Sequence, residues 1–310
     1  MRLCRFEQDG TVEFGFYDSG RILPFLRVAD EAGVDIPEIS SLIDFLPAGK
    51  YQEVTHSLHL QLEGMMDEEQ FPLSIDVEDV KLLVPFPSPG KLMLLAGNYP
   101  KHVEETGWKA EEREKTFPYV FMKPPLTTLT NPNDPIKIPG ISPDYIDWEL
   151  ELAVIIGKEC NNVCEEDALD YVAGYSIIND ISNRKFKPNP SRNKRGKDVF
   201  FDWLHGKWHD TFCPMGPCVL AANENIDPQS FKLTLSVNGH VEQDSSTTEM
   251  IFPVAAIIEF ISSFTTLMPG DIISTGTPSG VGLAKGKYLK PGDLIDAEIA
   301  EIGVLHNPVE

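Results

Sequence analysis

The sequence of 310 residues predicts an α+β chain that is mainly β, with a small N-terminal α+β domain over residues 1–84 and a larger, β-rich domain over residues 85–310. Three features carry this. The stretch VPFPSPGK (84–91) places three prolines in five positions, which excludes helix and central strand and marks a linker. Beyond it, apolar runs recur between turn residues in the manner of strands. Segments with helical periodicity are few.

Before the linker, TVEFGFYD alternates as a half-buried strand, and VEDVKLLV is amphipathic. After it, KLMLLAGNY, ELELAVIIGK and YVAGYSIIND predict strands, and FKLTLSVNGHVEQ predicts a hairpin turning at Asn238-Gly239. GDIISTGTPSGVG and GDLIDAEIAEIGVL are each entered through a Pro-Gly-Asp turn. The most apolar segment, MIFPVAAIIEFISSFTTLMPGD, contains Glu259 and Pro253, and its uncharged runs fall short of a bilayer span. It reads as a buried helix starting near Pro253. The glycine-rich TGTPSGVG loop has no Gly-Lys-Ser/Thr, so it is not a phosphate loop.

A net charge of −22 argues against binding nucleic acid or an anionic membrane through bulk electrostatics. One segment runs against it: RKFKPNPSRNKRGK (184–197) holds seven basic residues and no acid. Five cysteines is an odd number, and neither Cys160/Cys164 nor Cys213/Cys218 has the two-residue spacing of zinc fingers. Free thiols in a reducing compartment, the cytoplasm, are expected. The opening MRLCRFEQDG lacks the apolar core of a signal peptide.

DWELELAVII (147–156) sets Asp147, Glu149 and Glu151 at every second position of a strand, where alternate side chains share a face. Like charges in a row repel unless something positive lies among them. The opposite face (Trp148, Leu150, Leu152) is apolar, so the acids stand where the chain enters the interior. GYSIINDISNR brings Asp180 to the end of a second apolar strand. Carboxylates without a His or Cys partner suit a hard cation, Mg²⁺ or Mn²⁺, or Ca²⁺ in vitro, rather than zinc. The plain alternative is a strand with solvated acids.

In GNYPKHVEETGW, His102 and Glu105 are three apart and neighbour one another on a helix. A carboxylate beside an imidazole raises its basicity and orients it, as a general base requires; an exposed polar helix next to EEREK is the alternative. In FFDWLHGKWHDTFCPMGP, Lys207 sits among aromatics and glycine, where a buried ammonium demands an anion. His205 and His209 flank it, in what Gly206 and the aromatic density suggest is a loop, and read better as core or surface histidines than as ligands. Thr277, in STGTPSGVG, can offer its hydroxyl and nearby N–H groups to a carboxylate, or simply end a strand.

The motifs G-N-Y-x-x-H-x-x-E, F-x-K-P, D-x-E-x-E-L, N-D-I-S-x-R, G-K-x-x-D-T-F-x-P-x-G-P, the V-N-G hairpin and P-G-D-x-I-x-T-G-T-P-x-G-V-G occur in that order over roughly residues 80–310. This succession resembles the fumarylacetoacetate hydrolase family, and in particular its 2-hydroxyhepta-2,4-diene-1,7-dioate isomerase and acylpyruvase-like branch. The resemblance implies a mixed β-roll, a homodimer and a divalent cation, Mg²⁺ or Mn²⁺, that holds a small-molecule 2-oxo acid. It matches Glu149, Glu151 and Asp180 to metal ligands, and His102 with Glu105 to the pair that activates water, on a segment that orders when substrate binds. It matches Lys207 to a lysine at the substrate oxygens, Thr277 to a threonine holding the carboxylate, and Arg184 to an arginine near the distal end. Lys123 matches a family lysine without a defined role.

The implied reaction is hydrolysis of a carbon–carbon bond in a 2,4-dioxo acid of the acylpyruvate or fumarylpyruvate kind. Decarboxylation or isomerisation of a 2-oxo or hydroxymuconate-type diacid, in aromatic catabolism, is the alternative on the same metal site, and non-catalytic binding of 2-oxo acids a third reading. The sequence departs from the pattern at Gly97, where many keto-acid-cleaving members carry arginine, and at Lys187, where glutamine is frequent. The basic run either serves a second, remote carboxylate of the substrate or is a solvated loop that touches a partner subunit or the EEREK segment.

Overall fold

The computed structural model of the protein describes residues 1–18, 20–36, 39, 41–63 and 73–310. Its N-terminal part is a meander of β1 (Arg2–Gln8), β2 (Thr11–Asp18) and β3 (Arg21–Pro24), followed by α1 (Phe25–Glu31) and α2 (Gln52–Glu63). Two short strands, β4 (Ile75–Asp76) and β5 (Lys81–Leu83), return to β3 and β1. The amphipathic VEDVKLLV segment is a single 3-10 turn, Val77–Asp79, followed by β5. Residues 84–91 form neither helix nor strand, as the prolines require.

The chain then gives β6 (Leu92–Ala96), α3 (Pro100–Glu105), β7 (Tyr119–Met122), α4 (Pro125–Thr128) and β8 (Leu129–Thr130). The central strands follow: β9 (Ile146–Asp147), β10 (Leu150–Ile156), β11 (Val172–Asn179), β12 (Ser182–Asn183), then α5 (Asp198–His205) and β13 (Cys213–Ala221). The last elements are β14 (Lys232–Val237), β15 (His240–Ser246), α6 (Val254–Ser262), β16 (Ile272–Ser274), α7 (Gly282–Lys285), β17 (Leu294–Ile299) and β18 (Gly303–Pro308). The hairpin turns at Asn238-Gly239, and α6 begins directly after Pro253, both as expected.

One large sheet runs β4-β3-β2-β1-β13-β11-β10-β16-β6-β7, with β5 beside β1 and β8 beside β13. The N-terminal meander joins it through the antiparallel pairs Arg2↔Leu220 and Leu3↔Val219. Strands β10, β11 and β13 are buried along their whole length, which explains their continuous apolar runs. Alternate residues of β10 face two cores. Leu150, Leu152 and Val154 pack with Ile257, Leu233 and their neighbours, under a second sheet of order β15-β14-β17-β18. Ala153 and Ile155 pack with Phe14, Phe25 and Phe45 of the N-terminal part. Glu151 has the parity of this second face, at its end, so a carboxylate is carried into the interior by strand geometry alone.

Candidate active site

The strand expected to carry three acids in a row is interrupted. Asp147 ends β9 and β10 begins at Leu150, so Asp147 turns away from its neighbours. It accepts hydrogen bonds from Arg184 Nε (2.7 Å) and from the backbone N–H groups of Trp148 (2.9 Å), Gly282 (2.6 Å) and Leu283 (2.9 Å). Glu149 and Glu151 remain together, and β11 delivers Asp180 beside them. One carboxylate oxygen from each of Glu149, Glu151 and Asp180 lies within 4.8 Å of the others.

Cations surround this group. Lys207 Nζ donates to Glu149 Oε2 (2.9 Å), Asp180 Oδ2 (2.6 Å) and the Ser182 hydroxyl (2.7 Å), with its charge over the rings of Phe121 and Trp203. Lys123 Nζ is fully buried against Asp180 Oδ1 (2.5 Å) and the carbonyl of Ile181 (3.1 Å). Arg184 pairs with Glu149 Oε1 (2.5 Å) as well as with Asp147. Burial raises the Glu149 carboxyl, but Arg184, Lys207 and His102 more than reverse this and hold it far below the usual range. Burial likewise opposes the charges of Arg184 and Lys207, and the neighbouring carboxylates raise both.

Glu151 is different. Its Oε2 accepts from the Ser274 hydroxyl (2.5 Å) and the Gly276 N–H (2.9 Å), while its buried Oε1 has no hydrogen-bond partner. Burial, then Asp180 and Glu149, push its pKa well above the ordinary value. Gly276 is required here: its φ is +89°, and a Cβ would stand 2.9 Å from that of Asn98. Four carboxyl groups (Asp147, Glu149, Glu151, Asp180) therefore meet three cations (Lys123, Arg184, Lys207), so Glu151 is left without a cation and with one unbonded oxygen. An all-oxygen donor set with that deficit fits a hard divalent cation.

Glu149 opens onto a cavity of about 650 Å³ that His102, Arg184, Lys207 and Thr277 also line. His102 and Glu105 lie on α3 as expected, and the Glu105 Oε1 carboxylate accepts from His102 Nδ1 at 2.9 Å. That bond fixes the tautomer with the lone pair on Nε2. Glu105 Oε2 accepts from the Gly280 N–H (2.9 Å), which ties α3 to the glycine-rich loop. Thr277 lies in the wall, but its hydroxyl proton goes to the Leu150 carbonyl (2.9 Å) and its oxygen accepts from Gln243 Nε2 (2.9 Å). Gly97 lines the cavity at φ +70°, a conformation suited to glycine rather than to an arginine.

Of the flanking histidines, His205 closes α5, a helix where a loop was expected, and is exposed; His209 packs between Phe186 and Phe212. Neither belongs to the carboxylate group. The basic run folds onto its own neighbourhood: Arg192 pairs with Asp198 and Asp202, Arg195 with Asp198, and Lys185 lies over the Tyr145 ring. Apart from Arg184, none of its cations lines the cavity.

Sequence reasoning missed the buried amides that hold the loops. Gln243 is fully buried, accepts from Leu150 N–H (3.0 Å) and donates to Thr277 and the Pro278 carbonyl. Asn98 clamps Phe252 and Thr275. For Gln243 a signal existed: across the hairpin it opposes Leu235, a core residue, and so shares its buried parity.

All five cysteines are free, and no helix among the described residues is long and apolar enough to cross a membrane. A family model described as the C-terminal domain of fumarylacetoacetate hydrolase matches residues 91–310. A mitochondrial oxaloacetate tautomerase of Xenopus laevis is 35% identical over 313 residues, covering 100% of this chain and 90% of the relative. A 2,4-didehydro-3-deoxy-L-rhamnonate hydrolase of a Sphingomonas species is 37% identical, covering 100% and 96%. The crystal structure of maleylpyruvate hydrolase from Sphingobium sp. SYK-6, in complex with manganese(II) and pyruvate, superposes with a TM-score of 0.73 at 28% identity, covering 100% of this chain and 98% of that one. These relatives are named enzymes, so the non-catalytic reading is set aside. Motif order, fold and similarity along the whole chain agree: this protein is an enzyme of the fumarylacetoacetate hydrolase family.

Proposed function

We propose that the protein is a divalent-cation-dependent hydrolase that cleaves a carbon–carbon bond of a 2,4-dioxo acid. The observation that carries this reading is the unbonded, buried Oε1 of Glu151, grouped with Glu149 and Asp180 at the edge of the cavity lined by His102, which Glu105 holds. A Mg²⁺ or Mn²⁺ ion held by Glu149, Glu151 and Asp180 would supply the Lewis acidity that stabilises an enolate.

The chain's own residues do the rest. His102, oriented by Glu105, takes a proton from water at Nε2. The water oxygen bonds to the C4 carbonyl carbon, and the C3–C4 bond breaks with its electrons passing to C3. The proton held at His102 is then delivered to C3. One water is consumed, and a carboxylic acid and a shorter 2-oxo acid are released. Lys207 keeps Glu149 and Asp180 in place and offsets negative charge beside them; Arg184 fixes the other oxygen of Glu149. Thr277 takes the substrate carboxylate by exchanging its bond to Leu150.

A second reading is tautomerisation, isomerisation or decarboxylation of a 2-oxo acid in the same cavity. It is favoured by Gly97, which leaves the cavity wall without the arginine of many keto-acid-cleaving members. The His102–Glu105 pair can then carry a proton between C3 and oxygen with no attacking water. We further read the chain as a homodimer in a reducing compartment, the cytoplasm. The family resemblance supports the first and the five free cysteines the second.

The deciding experiment is product analysis by NMR on Mg²⁺-loaded protein given acetylpyruvate, fumarylpyruvate, oxaloacetate and a hydroxymuconate-type diacid. Two acids whose formation stops with EDTA support hydrolysis. Carbon dioxide, a shifted double bond or faster keto–enol exchange moves the reaction to the second reading. Light scattering on the eluting protein tests the dimer.

A further inference from the structure

The cavity has two chemically distinct ends. Near Glu149 it is charged, with the Phe121 and Trp203 rings against Lys207; the apolar wall goes on over Phe117, Tyr119 and Phe252. A second depression of about 600 Å³ shares Ala96, Phe117, Tyr119, Phe121 and Trp203 with it and continues over Phe200, Phe260 and Phe264. An apolar channel thus runs from the acid-binding end to the surface. Phe117 and Phe200 are 57% and 55% exposed on its rim, so the chain alone does not cover it.

The charges of the site leave little for a second carboxylate of the substrate. Arg184 and Lys207 are consumed by Asp147, Glu149 and Asp180. The cations of the 185–197 run lie outside the cavity. Lys109 is the remaining cation in the wall, and Glu111 stands there with it. Aromatic walls, with one cation and one anion in the rest of the lining, favour an apolar group over a second carboxylate.

We propose that the substrate's distal group is an uncharged aryl or long alkyl chain, bound along the Phe117–Tyr119–Phe121–Trp203 wall, rather than a second carboxylate. This rests on the reading of the Glu149 end as the place where a 2-oxo acid is held. It identifies the substrate as a 2-oxo acid of amphiphilic shape, such as an aroyl or long-chain acyl derivative. It assigns specificity to Phe117, Trp203 and Phe200, and none to the basic run.

Calorimetry of the full chain in Mg²⁺ tests this without turnover, using oxalate, 2-oxobutanoate, 2-oxoheptanoate, 2-oxooctanoate and 2-oxoheptanedioate. Each added methylene in the monoacids is expected to tighten binding about threefold. At equal length the monoacid should bind about tenfold or more tightly than the diacid, since the diacid must strip water from a second charge along an aromatic wall where Glu111 stands beside Lys109 in the lining. Phe117→Ser and Phe200→Ser, both at exposed positions, should each weaken 2-oxooctanoate severalfold more than oxalate. Oxalate binding with no dependence on chain length, or with the diacid preferred, would overturn the apolar site and leave the acid-binding end intact. Absence of binding by every ligand, oxalate included, would overturn both.

Discussion

Replacing Glu151 by glutamine separates the charge of the site from its shape. The amide oxygen still accepts from Ser274 and Gly276, and the amide nitrogen stands where Oε1 stood, in the group formed with Glu149 and Asp180. The four-to-three excess of carboxyl groups over cations disappears. Metal-free E151Q should therefore melt no lower than wild type, since the amide replaces a carboxyl whose charged form burial and its neighbours already oppose. Cation binding should collapse. For wild type at a Mg²⁺ concentration of about a hundred times Kd, mass action stabilises the fold by about 2.7 kcal/mol. An unfolding entropy of about 2.1 cal/mol/K per residue over 310 residues makes that a rise of about 4 °C in Tm. Removing a charged ligand should weaken affinity by about a hundredfold or more, and the same Mg²⁺ then adds about 0.4 kcal/mol, or about 0.6 °C. Differential scanning fluorimetry with and without Mg²⁺ reads both numbers. A variant that keeps the full 4 °C rise would refute the assignment of Glu151 to the cation site.

Other perturbations address the remaining parts. His102→Gln should lower kcat by about 10² to 10⁴ while the Mg²⁺-induced rise in Tm persists; loss of both together would make His102 structural. Lys207→Met leaves Glu149 and Asp180 short of a buried partner and should destabilise the metal-free protein by about 3–5 kcal/mol. Saturating Mg²⁺ should narrow that gap in urea titrations, and a gap unmoved by Mg²⁺ would count against a shared site. The triple variant K187S/K194S/K197S should change kcat/KM by less than about twofold for monoacid and diacid substrates alike, because these exposed cations lie outside the cavity; a selective loss on diacids would restore a role for the run. Burial raises the Glu242 carboxyl, but hydrogen bonds from Lys285 and Lys287 more than reverse this and leave it below its ordinary value. A depressed carboxylate stabilises above its unfolded pKa and loses that contribution as pH falls through the folded one. K285A/K287A should accordingly be less stable than wild type at pH 7, with the difference shrinking on acidification below about pH 4.

Much of the site was readable because its logic is local. Glu149 and Glu151 stand out as acids entering an apolar strand, and His102 and Glu105 as neighbours on one helical face. Asp147 was misread as part of their row because nothing at Trp148 marks the break between β9 and β10; the cause is distant, the N–H groups of Gly282 and Leu283 that draw its carboxylate aside. The aromatic density of 200–208 suggested a loop, yet residues up to His205 form α5, with their rings over Lys207 and along the apolar channel. That Lys207, Arg184 and Lys123, each singled out in the sequence, would pair with these acids was invisible for a similar reason. Lys123, Arg184 and Lys207 come from three separate stretches of chain, and only the packing of β7, β12 and α5 around β10 brings them together. The basic run reads from sequence as serving a remote carboxylate or as a solvated loop, but Arg192 and Arg195 are answered by Asp198 and Asp202 just downstream.

The ladder between β1 and β13 also bears on how the protein comes into being. Arg2 pairs with Leu220, so β1 finds this partner only after more than two hundred further residues have been made. Until then β1 holds β2 on one flank and β5 in part on the other, and the rest of its edge is open to any passing strand. The acidic surface of the nascent chain opposes such encounters by repulsion. The dependence runs both ways, for a fragment beginning at residue 85 would emerge with the β13 edge bare. The segment that contributes no residue to the cavity is in this sense a chaperone built into the chain, guarding the strand beside those that carry the acids.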